Sequence, residues 1–261
     1  MRNAAGSAFP RNYWDPDFLA YVYLMEFLLT DWEKEIQVQA PPDETRTQRE
    51  IATLLKRKGK DRHDHLEDIR DQAATFSQVF LRRLMFTSTS HPRTFDVVRV
   101  AILVGRAVVM HFKDKYGRRR PPQYSPAIEP VFDVPGHPSY PSGHSTQAHL
   151  VAHVLCELHP RGRDSNWRKV LLDLAWDIAV NRERAGVHYR TDSEAGRSLG
   201  KQIFEVLVTR CVKFKSLVDE ARREWTSGAP RYSGRRSALR AAVASRSSGR
   251  RRPRGSPTTR D

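Results

Sequence analysis

Apolar side chains recur through most of this chain at the three- and four-residue spacing that lines one face of a helix. Asp15-Pro16 is a helix-start pair. Phe18, Leu19, Tyr21, Val22, Leu24, Met25, Leu28 and Leu29 follow it, which predicts a buried first helix reaching about Gln37. Ala40-Pro41-Pro42 breaks that pattern. The stretch from Glu44 to Glu67 is charged with sparse apolar positions, and reads as one or two helices covering the outside of a bundle. An amphipathic segment over about Leu66 to Met85 ends in the polar turn Thr87-Ser88-Thr89-Ser90, and Pro92 then opens a strongly apolar helix to about Lys113. Further helices are predicted over about His144 to Leu158, Asn166 to Ala185 and Thr191 to Val218. No run reads as a strand, so the predicted fold is all-α, a single helical-bundle domain.

Two segments depart from this periodicity. Seven of the sixteen prolines fall between Pro121 and Pro141, which excludes a regular helix and leaves a stiff loop near the entrance of any site the bundle holds. From Ala221 to Asp261 the chain turns to Arg, Ser, Gly and Pro and lacks the apolar content to fold alone, so a disordered tail is expected. The helical domain is therefore placed at residues 1–220 and the tail at residues 221–261. That tail carries twelve arginines against Glu224 and Asp261, or +10, which leaves +5 of the total +15 for the domain. Its charge suits contact with anionic polymers or a membrane surface, and equally suits a solvated extension.

A bilayer span needs roughly 18 or more largely apolar residues. Residues 18–30 are interrupted by Glu26, and residues 95–112 carry Asp96, Arg99 and Arg106, so no transmembrane segment is expected. The first residues do not read as a secretory signal, and a cytoplasmic location is the default expectation. Cys156 and Cys211, the only cysteines, sit in apolar stretches and read as buried unpaired thiols.

Candidate chemistry lies in three separated motifs: Lys113 with Arg120 and Pro121, then Pro141-Ser142-Gly143-His144, then Arg182 with His188 and Asp192. Arg120 and Arg182 offer planar forks to two oxygens each, and Lys113 a point charge. Ser142 and Gly143 precede a predicted helix whose unsatisfied N–H groups make an anion cradle, and Ser142 also suits a helix cap. His188 and Asp192 are four apart, so on a helix the carboxylate accepts from one ring nitrogen and leaves the other free as a nucleophile.

The spacing Lys-x6-Arg-Pro, Pro-Ser-Gly-His, Arg-x5-His-x3-Asp resembles the signature of the type 2 phosphatidic acid phosphatase and vanadium haloperoxidase superfamily. All three arising by chance in this order is on the order of one in a million. The resemblance covers about Lys113 to Gly200. It implies a helical bundle of that type; many relatives are integral membrane enzymes, and with no span expected here the resemblance implies a soluble, bacterial-type member. It implies a metal-independent phosphatase acting on a phosphomonoester or diphosphate, with a small phosphorylated substrate and no cofactor. His188 would form a phosphohistidine, Asp192 orient it, and His144 act as acid and base. Lys113, Arg120, Ser142, Gly143 and Arg182 would hold the oxyanion. The alternative the resemblance implies is a haloperoxidase using hydrogen peroxide and halide, with vanadate as cofactor and His188 ligating vanadium, where His137 would stand near the oxidising centre. Asn181, where the family's third motif usually has Ser, implies altered contacts behind the site. A second alternative is an anion- or nucleic-acid-binding protein with a vestigial pocket.

His63, Asp64, His65, Glu67 and Asp68 have metal-binding donors, but their spacing matches no ligand motif and the segment reads as a solvated helix face. His149 and His153, also four apart, lie on a helix with an apolar face and are read as part of its packing. Substrate identity and oligomeric state are not readable from these patterns.

Overall fold

The computed structural model describes residues 9–226, and every regular element among them is helical. A 3₁₀ turn at Arg11–Tyr13 precedes α1 (Pro16–Leu28), α2 (Trp32–Glu35), α3 (Glu44–Arg57), α4 (Lys60–Asp64), α5 (Leu66–Thr75) and α6 (Gln78–Leu84). They are followed by α7 (Pro92–Tyr116), α8 (Pro121–Tyr124), α9 (Gly143–Leu158), α10 (Ser165–Arg184), α11 (Arg190–Arg210) and α12 (Val212–Thr226).

The bundle is organised around α9, which packs against α7, α10, α11 and α12. Ala148, Leu150, Val151, Ala152, Val154 and Leu155 are fully buried, and His149 and His153 are buried with them. Two glycines of α11 set how closely it approaches. A Cβ at Gly196 would lie 2.7 Å from the Ser142 carbonyl oxygen, and one at Gly200 2.6 Å from that of Thr146. Any side chain there would force the helices apart. The close approach lets the Ser142 amide donate to the Asp192 carbonyl at 3.0 Å, which fixes the start of α9 against the start of α11.

Several element boundaries differ from the periodicity. The first helix stops at Leu28, because the Thr30 hydroxyl donates to the Phe27 carbonyl at 2.7 Å and Trp32 folds back to stack on Phe27 at 5.8 Å. It is also buried on one face only: Leu19, Ala20, Tyr23, Leu24 and Phe27 are covered, while Phe18, Met25 and Leu29 are exposed. The Leu66–Met85 segment divides into α5 and α6, and the Thr191–Val218 segment divides at Cys211, whose backbone is extended. There the Glu26 carboxylate accepts from the amides of Lys213 and Phe214 at 2.8 and 3.2 Å, so α1 caps a new helix.

The last helix runs six residues beyond the expected domain boundary at residue 220. Ala221 and Glu224 are buried, and Glu224 accepts from the amides of Arg93 and Thr94 at 2.8 and 2.9 Å, capping α7. The tail from residue 227 onward lies outside the described residues. Among the described residues no helix is long and apolar enough to cross a membrane, and Cys156 and Cys211 are buried and unpaired.

Candidate active site

The three motifs converge on one cavity of about 350 Å³, walled by α7, the start of α9, the end of α10 and the proline-rich segment. Lys113 comes from the last turn of α7, which ends at Gly117 in the left-handed region (φ +56°). The chain then runs out through Arg118, Arg119 and Arg120, so that Arg118 and Arg120 are buried and Arg119 is exposed. Arg120 is clamped: its Nε donates to the His137 carbonyl at 2.9 Å and its Nη1 to the Val187 carbonyl at 2.8 Å. The same Nη1 stands 3.4 Å from His188 Nε2. Lys113 Nζ donates to the carbonyls of Pro138 and, at 2.9 Å, Ser139. Burial and the neighbouring Arg120 charge push its pKa down to about 7.

His188 and Asp192 meet across the start of α11, not on one face of it, because His188 precedes the first helical residue, Arg190. His188 Nδ1 lies 2.9 Å from Asp192 Oδ2, which also accepts from the Tyr189 amide at 3.1 Å. Asp192 Oδ1 accepts from Arg118 Nη1 at 2.6 Å. Burial raises the Asp192 pKa, and Arg118 is the strongest influence opposing that shift. With donors on both its oxygens, the carboxylate is held as an acceptor, so Nδ1 carries the proton and Nε2 presents its lone pair to the cavity. Burial, then Arg120 and Lys113, holds His188 well below the ordinary imidazole pKa and therefore neutral.

The opposite wall is less complete. Arg182, 1% exposed, donates from Nη2 to the Ile69 carbonyl of α5 at 2.7 Å, but its Nε and Nη1 have no partner among the described residues. Burial lowers its pKa to about 10. His144, at the second position of α9, has Nε2 at 3.3 Å from the Ala73 carbonyl and its ring edge-on to Phe76. Burial and then Arg182 push its pKa down to about 3. Thus the cavity gathers three buried basic groups and two neutral histidines, with Asp192 the only carboxylate beside them among the described residues. An anion placed there would raise the pKa of Lys113 and of His144 together.

Residues 97–215 match the family model of the PAP2 superfamily. That match takes in all three motifs. The match supports a phosphatase-type hydrolase activity. The crystal structure of a transmembrane PAP2-type phosphatidylglycerolphosphate phosphatase from Bacillus subtilis aligns at 18% identity. The alignment covers 78% of this chain and 96% of that one, with a TM-score of 0.35. No curated protein matches the chain.

Of the residues expected at the site, the helical core brings Lys113, Arg120, His137, Gly143, His144, Arg182 and His188 to the cavity wall, with Asp192 directly behind His188. Ser142 does not reach it. Its hydroxyl turns back to accept from the Ser145 amide, capping α9, and is fully buried. Asn181 also lies behind the wall, where Nδ2 donates to Gln72 of α5 at 2.9 Å and Oδ1 accepts from Arg184 at 2.9 Å. The His63 to Asp68 cluster sits on α4 and α5, and among the described residues no three His, Cys, Asp or Glu side chains converge to hold a metal.

Sequence reasoning missed Arg118 and its partners. Besides Asp192, Arg118 donates to Thr191 Oγ1 at 2.8 Å and to Glu50 of α3 at 2.9 Å, and its guanidinium lies 3.9 Å over the Tyr189 ring. Glu50 in turn accepts from the Thr191 amide at 2.7 Å. Burial opposes the Arg118 charge, but Asp192 and Glu50 outweigh it and raise the pKa above the usual guanidinium value. A signal was available: in an extended run, an inward Arg120 carries Arg118 inward as well. Arg106, Val109, Met110 and Phe132 also line the cavity, and nothing local in the sequence marks them.

Proposed function

We propose that this PAP2-core protein is a phosphatase that needs no metal and hydrolyses a phosphomonoester or diphosphate through a phosphohistidine at His188. The observation that carries this reading is Arg182: two guanidinium N–H groups, buried and unpartnered among the described residues, at a cavity that already holds Lys113 and Arg120. Buried unpaired donors cost free energy, and a tetrahedral oxyanion is the ligand that satisfies all three cations at once.

In this mechanism the phosphoryl oxygens lie between Arg182, Arg120 and Lys113, close to the start of α9. The lone pair of His188 Nε2 forms the N–P bond while the bond from phosphorus to the leaving oxygen breaks. Asp192 stabilises the positive charge that develops on the imidazole. His144, protonated once the anion has entered, gives its proton to the leaving oxygen. It then takes a proton from water, which attacks phosphorus, releases phosphate and restores His188. The three cations supply the charge neutralisation that develops in the transition state.

The test is an assay of phosphate release from a generic aryl phosphate, run with and without a chelator, alongside bromination with vanadate, bromide and hydrogen peroxide. Release that resists the chelator and is inhibited by vanadate is expected. Vanadate-dependent bromination without phosphate release would instead assign the haloperoxidase reading, in which the same cations hold vanadate and His188 Nε2 faces vanadium. Acid quenching after incubation with labelled substrate should trap an acid-labile, base-stable label on wild type and none on His188→Ala.

A further inference from the structure

Both faces of α1 are apolar, and only one is covered among the described residues. Phe18, Tyr21, Met25, Leu28 and Leu29 are 70%, 55%, 57%, 44% and 85% exposed. Their spacing places them on one stripe along the helix. The charged residues of the helix, Asp17 and Glu26, lie at the edges of that stripe and are engaged, Asp17 with Arg99 of α7 and Glu26 as the cap of α12. Val212, 76% exposed at the start of α12, extends the apolar surface beside Glu26. Contiguous apolar surface of this kind on a free monomer marks an interaction site.

Charge indicates the occupant. Arg106 and Lys213 border the stripe, both exposed and without a carboxylate partner among the described residues, and Arg99 stands beside them. The whole chain carries +15. A second copy would bring the same cations face to face, whereas an anionic surface complements them. Position supports the same choice. Arg106 lines the groove between α1 and α7 together with Ala20 and Tyr21, and it also lines the histidine cavity, where Met110 one turn on is 40% exposed. The bare stripe and the mouth of the cavity are therefore neighbours.

We propose that α1 docks this protein on the surface of an anionic bilayer, its outer stripe in the boundary between headgroups and acyl chains and Arg106 and Lys213 against lipid phosphates. The helix lies on the membrane and does not span it. The proposal does not depend on the phosphatase reading, because it is measured by binding.

Full-length protein is sedimented with vesicles of mixed phosphatidylglycerol and phosphatidylcholine, and with phosphatidylcholine alone, beside the full-length variant Phe18→Ser/Met25→Ser/Leu29→Ser. All three positions are exposed, and circular dichroism checks that the variant is folded. Wild type should bind the mixed vesicles in preference, and the variant should partition at least about tenfold less. Wild type that fails to bind would overturn the proposal. So would a variant that binds as well as wild type, since the arginine tail, intact in both, would then account for the binding. A dimer in sedimentation velocity that the same substitutions dissociate would assign the stripe to a second copy instead.

Discussion

On the α11 side of the cavity, Asp192 accepts from His188, Tyr189 and Arg118, and Arg118 reaches on to Thr191 and Glu50. On the α10 side, Arg182 has one hydrogen bond and two idle N–H groups among the described residues. Both walls are buried, so the contrast is one of pairing. The paired wall is preorganised: its charges are balanced within the protein and hold the His188 tautomer before any ligand arrives. The unpaired wall leaves buried donors unsatisfied, and in the proposed mechanism an anion satisfies them.

The largest effect should come from the atom the paired wall presents. His188→Ala should lower aryl phosphate turnover by about 10⁴-fold or more, with an unchanged circular dichroism spectrum. Comparing the two arginines then tests the difference between the walls directly. Arg118→Met leaves Asp192 and Glu50 buried without their cation, and should cost about 3–5 kcal/mol in chemical denaturation as well as activity. Arg182→Met removes a charge that lacks a counter-ion, so it should lower kcat/KM by about 10²–10³-fold while leaving stability unchanged or higher. Equal losses of stability in the two variants would break the comparison.

A smaller effect follows from Lys113. Its pKa is about 7, and a bound dianion raises it. The Lys113 contribution to affinity for an anion of constant charge, such as tungstate, should therefore be complete below pH 7. It should weaken by up to about tenfold per pH unit as pH rises from 7 toward the bound-state value. Calorimetric titration across pH 6–9 measures this. The smallest effect is expected at Ser142, whose hydroxyl caps α9 and faces away from the cavity. Ser142→Ala should cost about 1 kcal/mol of stability with kcat nearly unchanged.

Much of this site was legible because its chemistry is concentrated in short spans. Lys113 and Arg120 flank one turn, Gly143 and His144 open one helix, and His188 with Asp192 spans a single helix start, so the spacing of each carries its geometry. Arg118 was harder to see because it stands in a run of three arginines, and composition does not tell an inward arginine from an outward one. Two of the misplaced boundaries have another cause. Glu26 caps α12 from 187 residues away and Glu224 caps α7 from 131, and a local reading of propensity contains neither partner.

The sequence by itself determined an all-helical bundle and most of the motif residues that line the histidine cavity, because helical periodicity and motif spacing are local. Only the tertiary structure decided which donors are paired and which face of α1 stays bare. Those outcomes depend on what lies opposite each side chain once α9 is surrounded: Arg118 meets two carboxylates, Arg182 meets one carbonyl, and the outer stripe of α1 meets nothing among the described residues.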